Sequence, residues 1–164
     1  LDFWKLFSGW WGNKFVFQVG ATYHPTRNLP SLTVEYTAAR PWTYAHMNPV
    51  NSFTAAGQIL GFPQGPNSTL LSFGGDWHIS SSLHMTANWY RGKTGDYIGN
   101  DPLVSYDLRD IQFEDEGTFL LGDISIKDWY TLSIDYYITG SLQLFVQHGT
   151  RSSSITSAGL SLTF

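Results

Sequence analysis

The chain has 164 residues, a formal net charge of −4 and no cysteine, which bounds it to one domain or part of one and excludes a disulfide framework and a thiolate metal site. Charged residues make up only 13% of it and aromatics 16%, whereas an average soluble domain is about 25% charged. There is no basic run, so no nucleic acid is expected as a partner. No stretch approaches the roughly 18 apolar residues of a membrane-spanning helix, and alternating barrel strands leave no such signal.

The opening Leu1-Asp2-Phe3-Trp4 is abrupt, so Leu1 is expected to lie inside a longer protein. The fragment Leu1–Leu6 is too short to span a bilayer and reads as the end of an eighth strand at most. The first full strand follows: Phe15, Phe17, Val19, Ala21 and Tyr23 alternate with Lys14, Gln18, Gly20 and Thr22. After a turn at Pro25 to Pro30, Leu32, Val34, Tyr36 and Ala38 alternate with Thr33, Glu35 and Thr37. A long connection then covers Met47 to Asn67. Leu71, Phe73, Gly75, Trp77 and Ile79 form the next strand. A Ser80-Ser81-Ser82 turn joins it to Leu83, Met85, Ala87 and Trp89. A second long connection is expected from Gly92 to Gly117.

The clearest strand is Ile124 to Ile138. Its even positions are Ile124, Ile126, Asp128, Tyr130, Leu132, Ile134, Tyr136 and Ile138; only Asp128 breaks the apolar row. Its odd positions include Ser125, Lys127, Thr131, Ser133 and Asp135, a period of two and not of a helix. A turn at Thr139-Gly140 leads to Leu142, Leu144 and Val146, and a short break near Arg151 leads to the last strand. About 9–11 tilted residues span a bilayer, so the first part of the long strand, near Asp128, is expected to project beyond it.

The final residues, Ser157-Ala158-Gly159-Leu160-Ser161-Leu162-Thr163-Phe164, put Ala158, Leu160, Leu162 and Phe164 on one strand face and Ser157, Gly159, Ser161 and Thr163 on the other. The pattern resembles the C-terminal insertion signal of bacterial outer-membrane β-barrels, carried here by Ser157, Gly159, Leu162 and Phe164. The resemblance implies that the barrel-insertion machinery is a partner during biogenesis and that Phe164 ends on the periplasmic side. Counting back from it, the short turns at Thr139-Gly140, Ser80–Ser82 and Pro25–Pro30 fall on the periplasmic side. The long connections fall outside, as transmembrane barrels sort their loops, with the short outer connection at Arg151 as an exception. The expected fold is therefore all-β: an antiparallel transmembrane β-barrel of the outer-membrane type, comprising the C-terminal 7–8 strands of a larger barrel in a single barrel domain spanning 1–164.

The densest unusual segment runs from Glu35-Tyr36 through Arg40-Pro41-Trp42-Thr43-Tyr44 and His46 to Asn51, Thr54, Gly57-Gln58 and Leu60-Gly61-Phe62-Pro63-Gln64-Gly65-Pro66-Asn67. It resembles the Wzi-like capsule-assembly proteins of the Gram-negative outer membrane. Asn13-Lys14-Phe15, Gln18-x-Gly20 and Phe119-Leu120-Leu121-Gly122 add to the likeness; Phe62 and Trp42 stand where the family favours His and Tyr. The resemblance implies a non-enzymatic, multi-pass outer-membrane barrel that attaches or assembles capsular or exopolysaccharide. Its partners would be outer-membrane lipid, surface polysaccharide and other envelope proteins, and it would carry no cofactor.

Sugars present an apolar face and a hydroxyl rim, so they are held by aromatic faces beside planar hydrogen-bonding groups. Arg40, Trp42, Tyr44, His46, Asn51, Gln58 and Gln64 are the polysaccharide-contact candidates on that ground. The competing reading makes Trp42 and Tyr44 girdle aromatics, Arg40 with Glu35 a lumenal ion pair, and the Gly and Pro residues loop shapers. Glu35, Asp76, His78, Asn88, Lys127 and Asp135 are the expected lumen-lining residues; in a porin-like channel they would set selectivity. A third reading is a structural barrel subunit of a larger envelope complex. His78 and His84 flank one turn, but two imidazoles without a third ligand read as polar lining and not as metal. Ser, His and Asp show no spacing that selects a catalytic triad.

Overall fold

Period-two alternation along the chain becomes a sheet of seven antiparallel strands in a computed structural model, which describes residues 4, 8, 10, 12–25, 29–56, 58–108, 119–139, 142–150 and 154–162. The strands are β1 (Val16–Tyr23), β2 (Ser31–Ala39), the two-residue β3 (Thr54–Ala55) and β4 (Gln58–Ile59), β5 (Ser68–His78), β6 (Leu83–Asp96), β7 (Asp123–Thr139), β8 (Leu142–Thr150) and β9 (Ser154–Leu162). The large sheet takes its strands in chain order, β1-β2-β5-β6-β7-β8-β9, and β3 pairs with β4 in a separate hairpin. No α-helix occurs among the described residues, and none of their helices is long and apolar enough to cross a membrane.

Among the described residues the sheet is open, with β1 and β9 at its two ends, and does not close as a barrel. An up-and-down meander of seven strands leaves its first and last strands running the same way, and antiparallel closure takes an even number. Of the residues expected to supply an eighth strand, Trp4 lies in a 3-10 turn and the others lie outside the described residues.

The register keeps the alternation in phase. Ile134 faces Val146 and Tyr136 faces Leu144 across β7–β8; Val146 faces Ala158 and Leu144 faces Leu160 across β8–β9. One row of apolar side chains therefore crosses three strands, since a one-residue slip would carry it to the other face. A shift between Tyr137 and Thr139 marks a bulge just before the turn. The strand β6 runs seven residues past Trp89, to Asp96, so the long connection expected from Gly92 begins only after Asp96. Connections 40–67, 97–122 and the short 151–153 leave one end of the strands, and 24–30, 79–82 and 140–141 leave the other.

Contacts group the chain into two compact units. The first comprises Leu1–Val19, Tyr36–Leu70 and Gly92–Lys127; the second comprises Gly20–Glu35, Leu71–Arg91 and Asp128–Phe164. The first unit has a small core: Ala38, Ala39, Trp42, Ala45 and Leu121, with Thr37, Arg40, Thr43, Ser52, Asn67, Ser68 and Thr69 buried among them. Among the described residues of the second unit, none is buried. Its apolar face is open instead: Leu32, Val34, Phe73, Leu132, Ile134, Tyr136, Leu144, Val146 and Leu160 are all exposed. Isolated exposed apolar residues are ordinary, but a contiguous face of this extent needs an apolar covering.

Candidate functional site

Burial of the last turn of β2 sets the course of the 40–67 connection. Ala38 and Ala39 are fully buried, and Arg40 N–H donates to Phe15 O at 3.2 Å. Arg40 O then accepts from Thr43 Oγ1 at 2.7 Å and from Asn67 N–H at 3.2 Å. The Arg40 guanidinium carbon lies 5.7 Å from the Phe15 ring centre, and burial pulls its pKa below the ordinary arginine value by penalising the charged form.

Trp42 has φ 62°, in the left-handed region that a bulky residue seldom adopts. Packing holds it there. Its indole is 2% exposed and meets the Tyr97 ring edge-on at 6.0 Å. The face of Gly99 closes over it, where an added Cβ would stand 3.0 Å from the ring. Trp42 N–H donates to Gly99 O at 3.0 Å. Arg40 and Trp42 are thus interior supports of the first unit and do not offer a surface to a polymer.

Asn67 fastens three segments. It is fully buried with φ 53°, a conformation Asn tolerates better than most residues. Its Nδ2 donates to Gly95 O at 3.0 Å and Leu121 O at 2.9 Å, and its Oδ1 accepts from Leu121 N–H at 2.8 Å. Its backbone accepts from Gly95 N–H and donates to Arg40 O. Gly95 lets these chains approach: any Cβ there would collide with the Leu121 carbonyl and the Asn67 amide. Asn67 closes the family-like segment, yet nothing in its spacing marks it as this junction.

Tyr44 anchors the rest of the connection. Its hydroxyl accepts from Phe62 N–H at 2.8 Å, its ring stacks on Phe53 at 6.1 Å, and Gly61 lies flat against it. His46 is exposed and meets Tyr106 edge-on at 6.3 Å, while Lys14 Nζ sits 3.8 Å above the same Tyr106 ring and donates to Ala45 O at 3.1 Å. Asn51 ends a 3-10 turn, exposed. Gln58, exposed on β4, lines a cleft of about 500 Å³ with Ile59, Gly61, Pro63, Asp101 and Leu103. Gln64 lines a second, of about 290 Å³, with Thr94, Asp96, Asn100, Ser125 and Lys127. The seven contact candidates therefore divide: two are core, Tyr44 is half-buried support, His46 and Asn51 lie at the surface, and Gln58 and Gln64 belong to different clefts. Asp101 and Asn100 carry no signal in the sequence, because 97–108 is irregular connection.

All six lumen-lining candidates lie, by alternation, on the polar strand face. Glu35 is half-buried on β2. Asn88 Nδ2 donates to Thr131 Oγ1 at 3.3 Å. Asp76 and Asp135 both approach His84, at 2.9 Å and 3.8 Å, with His78 beside them. Lys127 is exposed at the smaller cleft. Of the insertion-signal residues, Ser157 faces Gln147 and Gly159 faces Phe145, with the Phe145 ring filling the space a Cβ would need; Leu162 pairs with Leu142. Phe164 lies outside the described residues, as does the break at Arg151. Comparison with protein-family models, curated proteins and solved structures finds no match to this chain.

Proposed function

We propose that this chain is the C-terminal part of a transmembrane β-barrel of the Gram-negative outer membrane, and that its long connections attach or guide surface polysaccharide without catalysing a reaction. The observation that carries the membrane reading is the second unit: strands in register, one apolar face, and no buried residue among those described. Lipid is the covering that such a face fits, and strands can meet it because their backbone groups are paired within the sheet. Both long connections leave one strand end, and the short ones except 151–153 leave the other, which fits the same account.

The polysaccharide reading rests on the first unit. Planar amide side chains, Gln58 and Gln64, stand in two open clefts beside Asp101 and Asn100, and His46 and Asn51 stand exposed on the same connection. Hydrogen-bonding groups of this kind suit hydroxyl-rich polymers. Capsule or exopolysaccharide pull-down by the detergent-solubilised protein tests it. Gln58→Ala with Asn51→Ala should weaken capture while leaving thermal unfolding unchanged; capture indifferent to both would refute the assignment.

A porin-like channel is the second reading, favoured by the charged groups on the polar face, Glu35, Asp76 and Asp135. Planar-bilayer conductance decides between them: a silent protein supports attachment, and steady conductance supports a channel.

A further inference from the structure

Asp76 and His78 stand two residues apart on β5, so both side chains leave its polar face. The 79–82 turn folds β6 back against β5, with Ile79 N–H donating to Leu83 O at 2.9 Å, and this places His84 on the same face. The His78 and His84 rings stack with centres 4.2 Å apart and planes 11° from parallel. Nε2 of His84 is 2.9 Å from Asp76 Oδ2, and Nε2 of His78 is 3.8 Å from Asp76 Oδ1. One ligand atom from each of the three lies within 4.8 Å of the other two. Ligand atoms about 2.0–2.2 Å from a tetrahedral ion are roughly 3.4 Å from one another, so a turn of the two rings out of their stack brings the three atoms, already within 4.8 Å, onto one ion.

The surroundings match what a metal-binding imidazole needs. The other ring nitrogen of His84, Nδ1, faces Asp135 Oδ2 at 3.8 Å. At that distance the carboxylate is a charged neighbour and not a hydrogen-bond partner; with the ring turned toward an ion it becomes the acceptor that orients the ligand. Asp135 is itself held, accepting from Ser133 Oγ at 3.1 Å and Gln143 Nε2 at 2.6 Å. The order Asp76, His84, Asp135, Gln143 thus crosses four adjacent strands, β5 to β8, as one polar chain. The third ligand missing from the sequence pattern is Asp76, which precedes His78 by two residues and meets His84 only through the turn.

We propose that Asp76, His78 and His84 form a divalent-metal site of the zinc class, with three protein ligands and a fourth position open to water. Two imidazoles and one carboxylate suit zinc, copper or nickel and not magnesium or calcium, which take oxygen ligands. The His78 side chain is 74% exposed, so its replacement leaves the fold in place, and the open side of the site faces the medium.

The test is Zn²⁺ titration of the full chain, folded in detergent micelles, against a chromophoric chelator, with and without excess Mg²⁺. Uptake of one Zn²⁺ per chain, undisturbed by Mg²⁺, is expected. His78→Gln and His84→Gln should each weaken it by tenfold or more, and Asp135→Asn by about tenfold. His148→Gln and His24→Gln should leave it unchanged. Absence of stoichiometric uptake by the unaltered chain overturns the proposal. So does uptake that persists in the His78→Gln/His84→Gln double variant, or that Mg²⁺ displaces. Because the first of these outcomes needs no variant, a misfolded mutant cannot shelter the proposal.

Discussion

Arg91 on β6 and Asp128 on β7 form a two-point ion pair: Arg91 Nε donates to Asp128 Oδ1 at 2.8 Å and Nη2 to Oδ2 at 3.0 Å. Both side chains leave the apolar face, and the Arg91 guanidinium also lies 5.3 Å from the centre of the Trp89 ring. The single interruption in the apolar row of β7 is thereby matched on the neighbouring strand. A paired charge next to a Trp is the composition of a membrane–water boundary, where Asp128 is expected to emerge.

The pair predicts a definite pattern of coupling. Arg91→Ala and Asp128→Ala should each lose the same modest pair energy, and the double variant should lose less than the sum of the two. Exchanging the two residues should restore the unfolding midpoint in detergent. Both groups are solvent-accessible, so about 1 M salt, which screens charges beyond about 3 Å, should shrink the coupling. Additive single effects at low salt would contradict the pairing.

Asn67 should prove the most sensitive polar residue of the first unit. Asn67→Ala removes three side-chain hydrogen bonds and leaves Gly95 O and both backbone groups of Leu121 without that partner. At about 1–3 kcal/mol per buried unsatisfied group, a loss of about 3 kcal/mol or more is expected in urea unfolding. Gly95→Ala should fail in the same region by collision. A loss under about 1 kcal/mol for Asn67→Ala would show that the junction is not tight.

Trp42 and Gln58 should separate stability from binding. Trp42→Ala empties a buried site and should cost about 3–5 kcal/mol, lowering polysaccharide capture only in step with the folded fraction. Gln58→Ala, at an exposed position, should lower capture and leave the unfolding midpoint within about 0.5 kcal/mol. The reverse pattern would make Trp42 a contact and Gln58 a bystander.

What could be read in advance, and what could not, follows from how far each signal reaches along the chain. The strands β1, β2, β5, β7, β8 and β9 announce themselves by local alternation, and Ile124 to Ile138 differs from β7 by one residue at each end. The second half of β6 was hidden. Arg91, Gly92 and Lys93 look like loop, and they remain in the strand where Asp128, distant in sequence, supplies the partner. The interior position of Trp42 was hidden for a related reason: its left-handed backbone and its neighbours Tyr97 and Gly99 come from a connection with no periodicity. Strand parity, in turn, decides that seven strands do not close antiparallel, which a count of 7–8 leaves open.

Arginine substitution at the middle of the apolar sheet face distinguishes contact with lipid from contact with water. Ile134 and Val146 face each other across β7 and β8 and are 40% and 48% exposed. If that face contacts the bilayer near its midplane, Ile134→Arg and Val146→Arg should each cost about 2–4 kcal/mol of folding free energy in phospholipid vesicles. If the face instead meets water, both substitutions should stay within about 0.5 kcal/mol, and that result would contradict the membrane account.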